Sequence, residues 1–73
     1  MMMTINEIKN DAKINGEKIL DRKMTEAEVK ENSQALVDYF NIIFIEDCDE
    51  DEEASRALFN ENFYDKLKEQ LEG

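Results

Sequence analysis

Apolar residues recur at helical spacing near the start of the chain. Ile5, Ile8 and Ala12 lie three and four residues apart, so they share one face of a helix. Thr4 and Glu7 have the spacing of a capping box, in which each side chain accepts a hydrogen bond from the other residue's backbone amide. The pattern predicts a first helix that opens at Thr4.

The first break in this pattern is at Asn15 and Gly16. Such a pair can end a helix in a left-handed residue, or it can form the tight turn of a hairpin. Hairpin pairing would place Lys13 directly opposite Lys18, and like charges in that position are destabilising. We therefore predict a helix end, or a weakened helix, at Gly16.

The longest helical pattern covers roughly residues 26 to 45. Thr25 and Glu28 repeat the capping signature in front of it. Its end, Ile42 to Ile45, also fits a short buried strand, because periodicity does not separate the two cases; we favour the helix. The residues predicted for the core are Leu36, Val37, Phe40, Ile43 and Phe44.

A last helix is predicted after the acidic residues in the middle of the chain. Asp49 or Asp51 can cap it, and the carboxylates that follow suit a helix N-terminus. The segment Asn60-Glu61-Asn62 interrupts the apolar pattern, so two short helices are an alternative to one. The predicted apolar stripe contains Ala54, Ala57, Leu58, Leu67 and Leu71, with Phe59 and Phe63 beside it.

Together these elements predict a mainly α fold, a small bundle of three to four helices, in one acidic domain over residues 1–73. The alternative is an α+β fold with a short strand at 42–45. A domain of this size removes only about 60 % of its unfolded surface from water. Because the core is small, we expect a homodimer that pairs through the aliphatic and aromatic faces. Met1, Met2 and Met3 are alternative starts of the chain.

Negative charge is concentrated in one segment. The chain has 19 acidic and 9 basic residues and no histidine, for a net charge of −10. Residues 46–53 read Glu-Asp-Cys-Asp-Glu-Asp-Glu-Glu, which is seven carboxylates in eight positions. This sign of charge opposes direct binding to nucleic acid or to membranes, which need clustered Lys and Arg. A cationic partner is the simplest ligand for the segment.

The composition predicts neither an enzyme nor a cofactor. Without histidine the chain lacks the usual general base at neutral pH, and no glycine-rich loop is present to hold phosphates. Cys48 is the only cysteine, and it lacks a partner that could activate it as a nucleophile. A lone cysteine also favours a reducing compartment, and no stretch approaches the roughly 20 apolar residues that cross a bilayer. We expect a cytoplasmic protein.

A calcium loop is the first chemical interpretation of the acidic residues. Asp47, Asp49 and Asp51 match the first, third and fifth positions of an EF-hand. The sixth position requires glycine and is Glu52, and the twelfth requires glutamate and is Leu58. We therefore predict no dedicated metal site.

Electrostatic mimicry of DNA is the favoured hypothesis. If the segment is helical, Glu46 with Glu50, Asp47 with Asp51 and Asp49 with Glu53 form rows of negative charge. The alternative is a helical protein-protein interaction module whose acidity serves solubility. The predicted partner-binding residues are Glu46, Asp47, Asp49, Glu50, Asp51, Glu52 and Glu53, with Glu61, Asp65 and Glu69 as outer contributors.

In size, acidity, missing histidine and lack of catalytic groups, the chain resembles the small DNA-mimic inhibitors that phages make against host DNA-binding proteins. No shared motif defines that class, so no residue role is carried over. The resemblance implies a stoichiometric inhibitor, often a homodimer, in the host cytoplasm. We expect a basic DNA-binding protein as the partner, with the histone-like nucleoid protein HU favoured because a short charged surface matches a small, sequence-indifferent DNA clamp.

Overall fold

Three α-helices joined by short turns form the bundle. The computed structural model describes residues 3–72. In it α1 spans Ile5–Leu20, α2 spans Glu26–Ile42 and α3 spans Glu52–Glu72, and a π-helical segment, Ile43–Asp47, continues α2. The predicted small helical bundle is confirmed. The alternative strand at 42–45 is wrong, because these residues continue the helix in π form.

Aromatic rings fill the centre of the core. Phe59 on α3 is only 1% exposed, and its ring centroid lies 5.6 Å from that of Phe40 and 5.7 Å from that of Phe63. Of the predicted core residues, Leu36, Val37, Phe40 and Ile43 are buried, and Phe44 packs against them half-buried. These residues are covered within one chain, so their burial does not require a second copy.

The first helix does not end at Gly16. It continues to Leu20 and ends at Asp21, whose φ of 55° is left-handed. Gly16 is buried, and a Cβ atom there would overlap Sδ of Met24 and lie 3.5 Å from Cδ1 of Leu71. The predicted helix end is therefore wrong, because α1 continues through Gly16, which packs closely against the Met24 side chain.

The two predicted capping boxes have different outcomes. At α2 the box forms, with the Glu28 N–H donating to Thr25 Oγ1 at 3.1 Å and the Thr25 N–H donating to Glu28 Oε1 at 2.9 Å. At α1 the Thr4 side chain makes no capping bond. Glu7 instead forms an ion pair with Arg56 of α3.

The last helix is continuous over 21 residues, so the alternative of two short helices is wrong. Asp51 caps it, because its Oδ1 accepts a hydrogen bond from the Ala54 N–H at 3.0 Å. Ala54 and Ala57, which were expected in the apolar stripe, are exposed. The buried face is instead centred on Phe59 and Leu67.

The search for membrane spans covers residues 3–72. In that range no helix is both long and apolar enough to cross a bilayer. The alternative starts Met1 and Met2 lie outside the described residues.

Candidate acidic interaction surface

The acidic segment, residues 46–53, connects α2 to α3. Glu46 and Asp47 belong to the π-helical segment, Asp49 and Glu50 to the turn that follows it, and Glu53 to the first turn of α3. Six of its seven carboxylate side chains are exposed, and Glu52 is half-buried. The segment is therefore a surface feature at the end of the bundle where α2 passes to α3.

Backbone hydrogen bonds fix the shape of this connection. The Cys48 N–H donates to the Ile43 carbonyl at 2.9 Å, and the Glu50 N–H donates to the Phe44 carbonyl at 2.7 Å. Asp49 and Glu50 are left-handed, with φ of 49° and 62°. Two successive residues in this region are costly for side chains other than glycine, at roughly 1–2 kcal/mol each. The surrounding helices and these hydrogen bonds hold the turn in place.

The rows of charge that a continuous helix would produce do not form. Residues 48–51 are not helical, so the spacing of four residues no longer brings side chains together there. The expected pairs Glu46 with Glu50, Asp47 with Asp51 and Asp49 with Glu53 are therefore wrong as helical neighbours. The carboxylates lie instead on the π-helical segment, on the left-handed turn that follows it and on the first turn of α3.

A regular acidic row does occur further along α3. Glu61, Asp65 and Glu69 are all exposed and lie four residues apart, a rise of about 6 Å per step. Glu53 lies eight residues before Glu61 and adds an exposed carboxylate in the first turn of α3. Lys66 Nζ lies 3.6 Å from Glu69 Oε1 and offsets part of that charge. We call Glu61, Asp65 and Glu69 the α3 acidic row.

Arg56 is the basic residue closest along the chain to the acidic segment. Its guanidinium lies 3.2 Å from a Glu52 carboxylate oxygen and 3.2 Å from a Glu7 carboxylate oxygen, and it is 5.8 Å above the Phe40 ring centroid. These contacts connect α1, α2 and α3 at the end where the acidic segment lies. Glu52, which was predicted to contact a partner, is thus engaged within the chain.

The exposed carboxylates are also candidate metal ligands. Over residues 3–72 no three His, Cys, Asp or Glu side chains are arranged to hold a metal ion. Cys48 is a free, half-buried thiol. The carboxylates are spread over the surface, an arrangement that can act through charge and hydrogen-bond acceptance.

Two exposed isoleucines beside the acidic segment were not predicted. The Ile42 and Ile45 side chains are 53% and 59% exposed, and neither packs against the core. A signal was available in the sequence, because both residues fall outside the helical stripe that contains Phe40, Ile43 and Phe44. Their exposure gives the acidic surface an apolar border.

Comparison with known proteins adds no relative to these observations. No protein-family model matches the chain, and neither a curated protein nor a solved structure gives a significant match.

Proposed function

We propose that this chain is a DNA-mimic inhibitor, which binds a basic DNA-binding protein through the acidic segment and the α3 acidic row. The favoured partner is a histone-like nucleoid protein such as HU, in the host cytoplasm. One observation carries the proposal: six exposed carboxylates lie on a single connection that is fixed at both ends by helices. A fixed scaffold matters because a mimic must hold its charges before binding.

Charge complementarity explains how such a surface would inhibit. Carboxylates on the acidic segment attract the Lys and Arg side chains that otherwise contact phosphates, and they speed the encounter. The step of about 6 Å along the α3 acidic row is of the same order as the spacing of phosphates along a DNA strand, whose axial rise is about 3.4 Å. Occupation of the partner's phosphate contacts would exclude DNA.

The experiment is a competition between this chain and DNA. A purified bacterial HU is bound to a fluorescent DNA duplex, and release of the duplex is followed by anisotropy as the chain is added. We expect release at low salt and weaker competition as salt rises, because added ions screen exposed charges over about 10 Å at 0.1 M.

A variant with five carboxylates replaced by amides tests whether the acidic segment makes the contact. It carries E46Q, D47N, D49N, E50Q and E53Q, which removes five charges and keeps Asp51 as the cap of α3 and Glu52 as the partner of Arg56. We expect this variant to lose competition while it keeps the helical circular-dichroism signal of the unchanged chain.

A matched control removes the same five charges elsewhere. It carries D11N, D21N, E26Q, E31Q and E72Q, all at exposed positions outside the proposed surface. The control should compete almost as well as the unchanged chain. Equal losses in the two variants would mean that only net charge matters, and full competition by the first variant would remove the acidic segment from the mechanism.

Homodimerisation is a separate part of the proposal. A C₂ pair would place two acidic segments on one assembly and extend the charged surface. The predicted core residues Leu36, Val37, Phe40 and Ile43 are buried within one chain, so the dimer contact would have to use residues left exposed, such as Tyr64. Sedimentation equilibrium of the 8.6 kDa chain decides between monomer and dimer.

A further inference from the structure

Near the end of α2, two exposed isoleucines are flanked by exposed carboxylates. Ile42 is the last residue of α2 and Ile45 lies in the π-helical segment that continues it, and both side chains are more than half exposed. Asp38 lies four residues before Ile42, and Glu46 lies four residues after it; both carboxylates are exposed. The last turn of α2 contains no basic residue. The pair is thus an apolar patch with acidic neighbours at both ends.

The carboxylates of Asp38 and Glu46 limit which protein surface can pack against Ile42 and Ile45. A second copy that paired through the same face would bring its own Asp38 and Glu46 toward those of the first, since a C₂ contact joins identical patches. Like charges in such positions oppose association. A surface that carries Lys or Arg around an apolar residue has the complementary pattern.

We propose that Ile42 and Ile45 form an apolar anchor for the basic partner, which here means an HU-class protein. The inference rests on the proposed function and deepens it, because it adds a contact that DNA itself does not offer. The carboxylates steer the partner and fix its orientation, and burial of the two isoleucines slows its release. The chain would in this way compete with DNA even where salt weakens the charge contacts.

The test measures affinity for purified HU at two salt concentrations with three variants. I42S/I45S removes the anchor, and serine matches isoleucine closely in helix propensity. I14S makes the same change on α1, where Ile14 is 48% exposed and also outside the core. I45D adds a negative charge at the anchor. A circular-dichroism melt of each variant reports whether it folds, and I45S alone replaces the double variant if that fails.

We expect I42S/I45S to bind about 30-fold more weakly at both salt concentrations, because each side chain still has about half of its surface to bury. The salt dependence should be unchanged, and I14S should bind like the unchanged chain. I45D separates the two forces: simple charge mimicry predicts tighter binding from the added carboxylate, whereas an anchor predicts weaker binding.

Each other result overturns the inference in a recognisable way. Unchanged binding by I42S/I45S, together with loss of binding in the five-amide variant, would remove the anchor and leave the proposed function standing. Failure of the unchanged chain to bind HU would overturn both the anchor and the choice of HU as the partner. A dimer that I42S/I45S converts to a monomer, without loss of HU affinity, would assign the patch to self-association.

Discussion

Gly16 offers a quantitative test of the packing between α1 and the start of α2. Replacing it with alanine has two opposing effects on the free energy of unfolding. Alanine is favoured over glycine inside a helix by about 1 kcal/mol. The added Cβ, however, overlaps Sδ of Met24, whose side chain is buried and only 7% exposed. The Met24 thioether is the flexible end of its side chain, but it is buried, so that its displacement disturbs packing, and overpacking costs about 1–3 kcal/mol. We expect G16A to destabilise the protein by about 1 kcal/mol.

A second substitution should reverse the sign of this effect. In the M24A background the obstructing sulfur is absent, and the next contact of the new Cβ is Cδ1 of Leu71 at an ordinary 3.5 Å. Only the gain in helix propensity then remains, so G16A should stabilise M24A by about 1 kcal/mol. The two effects differ by about 2 kcal/mol, which is the coupling energy between Gly16 and Met24.

Urea unfolding followed by circular dichroism measures all four proteins of this cycle. M24A itself should cost about 2–5 kcal/mol, out of a total of about 4–11 kcal/mol for a domain of this length. The m-value, which is the slope of the unfolding free energy against urea concentration, must be the same in all four proteins for their free energies to be compared. If G16A stabilises both backgrounds equally, the overlap with Met24 carries no energetic cost, and the helix propensity of alanine alone decides the effect.

Two further predictions concern polar groups. Ser33 is completely buried, and its Oγ has no hydrogen-bond partner among residues 3–72. S33A should therefore raise the free energy of unfolding by about 1 kcal/mol in urea titrations, and a decrease would indicate a hidden partner. The Arg22 guanidinium and the Thr25 amide lower the pKa of Glu28 from 4.5 to about 2. Because the folded pKa is the lower one, this stabilisation is fully present above about pH 4.5 and disappears as the pH falls through about 2. The stability difference between the unchanged chain and E28Q should therefore shrink between pH 6 and pH 2, and a constant difference would contradict the ion pair.

The central helix was predictable because local and tertiary requirements agree there. Thr25 and Glu28 form the capping box that their spacing indicates, and the stripe that includes Leu36 and Phe40 is buried. At Gly16 they disagree. Local propensity favours a helix end, but in the folded chain the helix continues and Gly16 packs against Met24, a neighbour that the sequence pattern does not indicate.

The composition of the acidic surface was readable from the sequence, whereas its arrangement was not. Charge is a property of residue type, so the exposure of Glu46, Asp47 and Glu53 follows from the cost of burying carboxylates. The π-helical segment and the left-handed pair Asp49 and Glu50 leave no comparable signal, because their conformation depends on tertiary packing. The role of Arg56 was missed for the same reason: Glu7, one of its partners, lies 49 residues away in sequence.

This arrangement makes the presentation of charge dependent on the aromatic core. Phe44 packs half-buried against the core, and its ring centroid is 6.0 Å from that of Phe40. Its carbonyl in turn accepts the hydrogen bond from the Glu50 N–H that holds the left-handed turn. The same backbone therefore joins a core residue to the most strained part of the acidic segment. The folding of the bundle therefore already positions these carboxylates, as the proposed DNA mimicry requires of a surface that must be ordered before binding.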